Sequence, residues 1–254
     1  MGKLTFLGTG TSSGVPLIGC FCKVCASSNL KDKRLRSSVW IEADGQSALI
    51  DTATDLRQQA LRAGITRLDA VFFTHHHADH VHGIDELRSF NFLQNEPIAC
   101  YGKNETLERI RTHFAYIFNG KKSEGGGKPN LELRTMTDTV NVGGMHVTPV
   151  PVEHGALDIY GYLINKTAYI TDCSKIPQSS MELLAGLDTL ILGALGLKRH
   201  NTHFTLEQAL CVVKELAPQT TYLTHLNHNL GHDETSKGLP SNVHLAWDGL
   251  SIDV

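Results

Sequence analysis

The sequence predicts an α/β (α+β) protein whose polar chemistry is gathered at one edge of a sheet sandwich. Three observations carry that expectation. A run of strand length, Leu68-Asp69-Ala70-Val71-Phe72-Phe73, leads directly into Thr74-His75-His76-His77-Ala78-Asp79-His80. Other short apolar runs end on a polar residue in the same way: Val150-Pro151-Val152 before His154, Tyr169-Ile170-Thr171 before Asp172, and Tyr222-Leu223-Thr224 before His225. On both sides of a Gly/Lys-rich stretch, 119–130, strand-like segments come first and helix-like segments follow, as two similar halves would. A single domain spanning 1–254 is expected, since that length suits one large core.

In chain order, residues 4–7 read as a strand entering a Gly/Ser/Thr-rich loop at 8–14. Such a loop can cradle phosphate through its amides or serve as a plain turn; without a following Gly-Lys-Ser/Thr it is not a P-loop. The basic stretch 31–36 is expected to be a solvated turn, or to hold a second anionic group if it faces the metal loop. Residues 39–42 and 47–50 form a hairpin around Asp44-Gly45. A helix is expected over 55–63 with Gly64 as its stop. After the His-rich segment come a helix over 83–93, a strand over 97–102 and a helix over 104–118. Residues 119–130 are too polar and Gly-rich to bury much and are expected to be a mobile surface loop. The second half gives strands at 140–142, 145–150, 160–164, 168–171, 189–192, 221–224 and 243–246, with helices at 181–187 and 206–216.

Composition excludes several classes. The net charge is −3 and charged residues make up 19%, with no long basic run, so broad binding to polymeric nucleic acid or anionic lipid is not supported. No stretch approaches the roughly 18 apolar residues of a membrane span, and 3–7 is too short for a signal-peptide apolar region. A cytoplasmic location is the expectation.

The cysteines Cys20, Cys22 and Cys25 are bunched, whereas Cys100, Cys173 and Cys211 are scattered. A disulfide scaffold would spread its pairs, so bunching points to metal. C-x-C-x-x-C lets three thiolates face one point and leaves a tetrahedral zinc one ligand short; redox chemistry is the rival reading. His75, His77, Asp79 and His80 make the pattern H-x-H-x-D-H. Three imidazoles and a carboxylate crowd together only with a compensating charge, which a divalent pair supplies. Asp51, leaving the strand at 47–50, could fix an imidazole tautomer from behind, or simply cap its loop. His76 and His82 flank ligands but are expected to point elsewhere, and His113 is expected to pack or to face solvent; His146, His200, His232 and His244 have no motif behind them, and His200, near His203, is expected not to line the pocket.

With H-x-H-x-D-H followed in order by His154, Asp172 and His225, the chain resembles the metallo-β-lactamase superfamily over nearly its whole length. The resemblance implies a four-layer αββα sandwich carrying two metals at one edge. It implies His75, His77 and His154 on the first metal, Asp79, His80 and His225 on the second, and Asp172 bridging, with Asp51 behind them. Both Asp79 and Asp172 are present, where lactamases proper often use Cys or Ser, and this favours the phosphodiesterase side. Gly8-Thr9-Gly10, Gly14-Val15-Pro16, Gly19-Cys20 with Cys22 and Cys25, and Leu223-Thr224-His225 with His228 are similar to the PhnP-type phosphoribosyl cyclic phosphate phosphodiesterases. That likeness implies that His228 completes a structural zinc site with the cysteines, that His203 is an active-site histidine, and that the chain is a homodimer.

The expected function is therefore a dinuclear metal-dependent hydrolase of small cyclic phosphodiesters, such as ribosyl 1,2-cyclic phosphate or 2′,3′-cyclic nucleotides. A hydroxide shared by the metals, Mn²⁺ or Zn²⁺, would attack phosphorus. Asp79, as ligand, and His203, as proton donor to the leaving oxygen with a pKa near working pH, are the expected catalytic residues. The rivals are a thioester, lactone or β-lactam hydrolase using the same metals, a tRNA 3′-processing endonuclease, and a non-catalytic zinc module.

Overall fold

A computed structural model describes residues 2–120 and 127–254. The first half contributes β1 (Lys3–Gly8), β2 (Ser38–Ala43), β3 (Gln46–Ile50), β4 (Ala70–Phe73), β5 (Ile98–Gly102) and β6 (Leu131–Thr135). The second contributes β7 (Val140–Val142), β8 (Met145–His154), β9 (Leu157–Ile164), β10 (Thr167–Ile170), β11 (Thr189–Gly193), β12 (Thr220–Thr224), β13 (Val243–Leu245) and β14 (Ser251–Asp253). Among the described residues they form two seven-stranded mixed sheets, ordered β14-β1-β2-β3-β4-β5-β6 and β13-β12-β11-β10-β9-β8-β7. The first sheet thus takes its edge strand from the far end of the chain. There the Gly2 amide donates to the Val254 carbonyl at 2.9 Å and the Val254 amide donates back at 3.0 Å.

Apolar residues alternate on nearly every central strand, and this sets the layers. In β4, Ala70 and Phe72 face the second sheet, while Val71 and Phe73 face the helices. In β10, Tyr169 points between the sheets and Ala168 and Ile170 point away. Each fully buried side chain of this size contributes roughly 1.5–3 kcal/mol. The outer face of the first sheet is covered by α1 (Leu56–Ala63), α2 (Ala78–Val81), α3 (Leu87–Gln94), α4 (Asn104–His113) and α5 (Ala115–Phe118), which supply Leu56, Val81, Leu87, Leu107, Ile110 and Ile117 to one cluster. On the second sheet, α6 (Gln178–Leu183) and α7 (Leu206–Leu216) do the same; α8 (His232–Ser236) packs beside β13. The result is the four-layer αββα sandwich.

Several boundaries differ from expectation. The segment at 83–93 opens with a 3₁₀ turn, Ile84–Glu86, before α3. The helix expected over 104–118 breaks at Phe114 (φ −112°, ψ 40°) into α4 and α5. Pro177, extended at ψ 154°, starts α6 at Gln178, three residues early. The alternating Leu131-Glu132-Leu133 of β6 and the three-residue β14 were not expected, being short edge strands. The mobile loop expected at 119–130 falls largely on 121–126, outside the described residues. Asp44 and Gly45 both have positive φ, 50° and 77°, as a two-residue type I′ hairpin turn requires.

Parallel pairing runs β3-β4-β5-β6 and β10-β11-β12-β13, so these strands end at shared edges. The loop at 8–14 spends its amides on the fold: Thr9 N–H and Oγ1–H donate to the buried Asp248, Gly10 donates to Leu35 and Thr11 to Leu226. Thr9, Gly10 and Thr11 thus serve the loop as a structural turn. No helix among the described residues is long and apolar enough to cross a membrane.

Candidate metal centres

The C-terminal ends of the strands deliver the clustered side chains. Asp51 follows β3, Thr74 and His75 follow β4, Asp172 lies two residues past β10, and His225 follows β12. His154 is the last residue of β8, a strand longer than the sequence pattern implied. Asp79 and His80 ride on the single-turn α2, which turns both side chains inward.

Two groups result. His75, His77 and His154 lie together, as do Asp79, His80, Asp172 and His225, each set with its ligand atoms within 4.8 Å of one another. Asp172 stands between the groups. Its Oδ1 is 3.3 Å from His80 Nε2 and 3.2 Å from His225 Nε2. Its Oδ2 is 3.8 Å from His75 Nε2 and 3.9 Å from His203 Nδ1. Asp79 Oδ2 faces His80 Nε2 at 3.3 Å and His225 Nε2 at 3.7 Å. Donors bound at about 2.1 Å to one cation stand about 3–3.4 Å apart, so the shorter of these separations match a coordination shell.

The imidazoles are oriented from behind. His80 Nδ1 donates to Asp51 Oδ2 at 2.7 Å, and His154 Nδ1 donates to the Thr202 carbonyl at 2.8 Å. Thr74 Oγ1 gives its one proton to Asp51 Oδ2 at 2.7 Å, so it accepts from His75 Nδ1 at 3.0 Å. With Nδ1 protonated in each, the Nε2 lone pairs point into the centre. His75 Nε2, His80 Nε2 and both ring nitrogens of His225 are buried without a hydrogen-bond partner. Orphaned buried donors and acceptors are costly, and a cation satisfies these. Thr74 and Thr202 were not singled out from sequence; their only signal is adjacency to the H-x-H block and to His203.

The charges tell the same story. Burial works against ionised Asp172, yet His225 and His80 hold its carboxyl well below the usual range. Asp79 is depressed too, by His80 and His225 against burial. Burial would also lower His80, but Asp172, Asp51 and Asp79 together hold it well above an ordinary imidazole. His75, with burial and His80 beside it, is held well below. Without metal, the proton on His80 carries the positive charge that the carboxylates demand.

His203 packs against this cluster. Its ring is 4.7 Å from His154 and stacked on His225 at 4.9 Å. Burial, then His225, lower its pKa to about 3, with Asp172 opposing. It is therefore neutral in the metal-free site, unlike the near-neutral pKa expected of it. His200, expected to lie apart, has its ring 5.0 Å from His203 and borders the same site. His76 and His113 neighbour each other at the rim, His82 packs on Phe114 and His146 bonds Asn141. His232 is buried beside Trp247 and His244 lies against Tyr222.

The second cluster joins Cys20, Cys22, Cys25 and His228. His228 Nδ1 is 3.2, 3.5 and 3.6 Å from the three Sγ atoms. A tetrahedral zinc with bonds of about 2.3 Å to sulfur and about 2.0 Å to nitrogen has edges of about 3.5 Å, so the set fits. Cys22 and Cys25 are driven apart in acidity. A backbone hydrogen bond from Cys25 lowers Cys22 to about 6, while burial raises Cys25 to about 11. In zinc-free protein at pH 7, Cys22 is expected to alkylate fastest of the six cysteines, with the rate falling as pH drops below 6. Zinc should protect it. Cys22→Ser is expected to cost stability and one bound zinc while sparing kcat. Unchanged stability and unchanged zinc would refute the assignment.

The basic stretch is partly buried, and it meets the cysteine cluster from behind, where Lys33 Nζ donates to the Cys25 carbonyl at 3.1 Å. Arg34 is 2% exposed and Arg36 pairs with Asp55 at 3.0 Å.

A model of the β-lactamase superfamily domain matches residues 47–226. The chain belongs to the metallo-β-lactamase superfamily. A crystal structure of a diphosphatase from the PhnP family superposes on this metallo-β-lactamase chain with a TM-score of 0.93 at 41% identity, covering 100% of this chain and 98% of that one. An octanoyltransferase of Porphyromonas gingivalis is 39% identical over 98% of this chain and 51% of its own length. A ribonuclease Z of Bradyrhizobium diazoefficiens is 29% identical over 66% of this chain and 51% of its own. The chain thus spans about half the length of both these relatives. It carries the metallo-β-lactamase fold.

Proposed function

We propose that this metallo-β-lactamase chain hydrolyses small phosphodiesters with two divalent cations, Mn²⁺ or Zn²⁺, held by His75, His77 and His154 and by Asp79, His80 and His225. Asp172 is shared between them. The observation that carries this reading is Asp172 itself: one buried carboxylate with an oxygen turned to each imidazole group. Cations bound there lower the pKa of water and draw charge from phosphoryl oxygens. The similarity to a PhnP-family diphosphatase supports phosphorus over a carbonyl carbon as the centre attacked. The substrates proposed are ribosyl 1,2-cyclic phosphate and 2′,3′-cyclic nucleotides. A structural zinc sits on Cys20, Cys22, Cys25 and His228.

The chain's own residues do the rest. Asp51, Thr74 and Thr202 hold three imidazoles in the binding tautomer. His203 donates the proton to the leaving oxygen. Although its pKa is about 3 in the substrate-free site, an anionic phosphoryl group beside it favours the imidazolium. His203→Ala is expected to cost about 10²–10⁴-fold for an alkyl leaving group and far less for an activated aryl ester. Equal losses for both would remove that role.

An acyl-transfer reading, prompted by the name of the P. gingivalis relative, has less support. The thiol nearest the site, Cys173, is buried, hydrogen-bonded to the Lys175 carbonyl and held protonated by that burial. The deciding experiment is a panel with added Mn²⁺: 2′,3′-cyclic nucleotides, ribosyl 1,2-cyclic phosphate, a bis-aryl phosphate, a diphosphate, an octanoyl thioester and a β-lactam. Turnover of the thioester or lactam, with none of the phosphorus esters, would overturn the proposal.

A further inference from the structure

We propose that Arg34 is the positioning residue for both metal centres, because it holds the 225–230 turn that carries one ligand of each. This rests on the reading that both clusters bind metal.

His225 and His228 are three residues apart on that turn, one facing each cluster. His225 has φ 55°, a left-handed backbone that a β-carbon disfavours and that its surroundings must hold. The near side of the turn is pinned by backbone bonds: Leu226 N–H to Thr9 at 2.8 Å, Thr11 N–H to Leu226 at 3.2 Å and Asn227 N–H to Leu195 at 2.9 Å. The far side is closed within the turn by Asn229 N–H donating to Asn227 Oδ1 at 2.8 Å and is tied to the rest of the fold by Arg34. Its Nη1 donates to the Asn227 carbonyl at 2.9 Å and its Nη2 to the Leu230 carbonyl at 2.6 Å. These carbonyls bracket His228 in sequence.

Arg34 is itself fixed. Its N–H and C=O pair with Val15 at 2.7 and 2.8 Å, within the segment leading to the cysteines. Asp32 Oδ1 lies 3.4 Å from Nη2 and also accepts from His232 N–H at 2.8 Å. The segment at 32–34 thus clasps the turn at three points, and the thiolate loop hangs from the same clasp. Two carbonyls at this spacing need two fixed donors on one rigid group, which a guanidinium has and an ammonium lacks. A residue that orients ligands from behind commonly sets metal affinity by about 10–100-fold.

The test is metal affinity, not turnover. Zn²⁺ and Co²⁺ binding to wild type, Arg34→Gln, Arg34→Lys and Asp32→Asn would be measured by chelator competition, with total metal counted by mass spectrometry. The thiolate-to-cobalt absorption reports the cysteine site separately from the imidazole–carboxylate site. Arg34→Gln is expected to weaken both sites by about 10–100-fold. Arg34→Lys should fall between it and wild type, and Asp32→Asn should give a smaller shift at the same two sites. A folded Arg34→Gln with wild-type affinity at either site overturns the inference. If that variant does not fold, Arg34→Lys and Asp32→Asn decide it by the same criterion. The wild-type metal count tests the underlying reading: a protein that binds no metal overturns both, whereas wild-type binding with unaltered variants overturns the role of Arg34 alone.

Discussion

Asp172→Ala is expected to reduce turnover by on the order of 10³-fold or more and to leave fewer than two cations in the imidazole–carboxylate centre. The side chain is 2% exposed and, among the described residues, is the one group whose oxygens face both sets of imidazoles. Without it, His75, His80 and His225 converge on a space with Asp79 beside them and Asp51 behind His80 to balance them. Asp172→Asn is the sharper variant, because it preserves volume and removes only the charge and one acceptor. Loss of activity and of metal in both variants, counted by mass spectrometry beside kcat, is the expected outcome. An asparagine variant that kept both metals and wild-type kcat would show that the carboxylate is not shared.

Asp51→Asn should have the next largest effect, although Asp51 lies behind the ligands. This carboxylate is fully buried and accepts three hydrogen bonds: from Thr74 N–H at 2.8 Å, from Thr74 Oγ1 at 2.7 Å and from His80 Nδ1 at 2.7 Å. Burial raises its pKa, and His80 and Thr74 work against that rise. An amide can keep the bond to Thr74 N–H with its oxygen, but it then turns an NH₂ toward His80 Nδ1. His80 must place its proton on Nε2, the atom that faces Asp172 and Asp79, and it ceases to be a ligand. Metal affinity is expected to fall about 10–100-fold. Asp51→Ala, which leaves His80 and Thr74 unpaired in the interior, should also cost about 3–5 kcal/mol of stability. Metal titration and thermal unfolding of the two variants separate these effects. Equal affinity in wild type and Asp51→Asn would show that the tautomer is set elsewhere.

Much of this architecture can be read from local patterns. The αββα order follows from apolar runs that alternate between two buried faces, as in Ala70-Val71-Phe72-Phe73. His75, His154, Asp172 and His225 stand out because each sits at or just past the end of a strand, and the sheet registers carry those ends to one edge, while Asp79 and His80 follow on α2. What the sequence hides is contact at a distance. Arg34 looks like part of a solvated basic run, because nothing nearby reveals that carbonyls almost 200 residues later will enclose it. Thr74 and Thr202 look like ordinary loop threonines until the rings they support are in place. The near-neutral acidity assigned to His203 fails for a related reason: burial and His225 lie outside its own segment. The short β6, β14 and α8 gain their order from neighbours and not from their own composition.

The pairing of Gly2 with Val254 has a consequence for engineering. β1 points its C-terminal end at the imidazole–carboxylate centre, so Gly2 and Val254 meet on the opposite side of the sandwich. A short linker could join them and new termini be opened elsewhere, a circular permutation that leaves the ligand-bearing loops untouched. By the same geometry, residues joined to Gly2 or to Val254 would emerge at a single corner, on the side away from the imidazole–carboxylate centre.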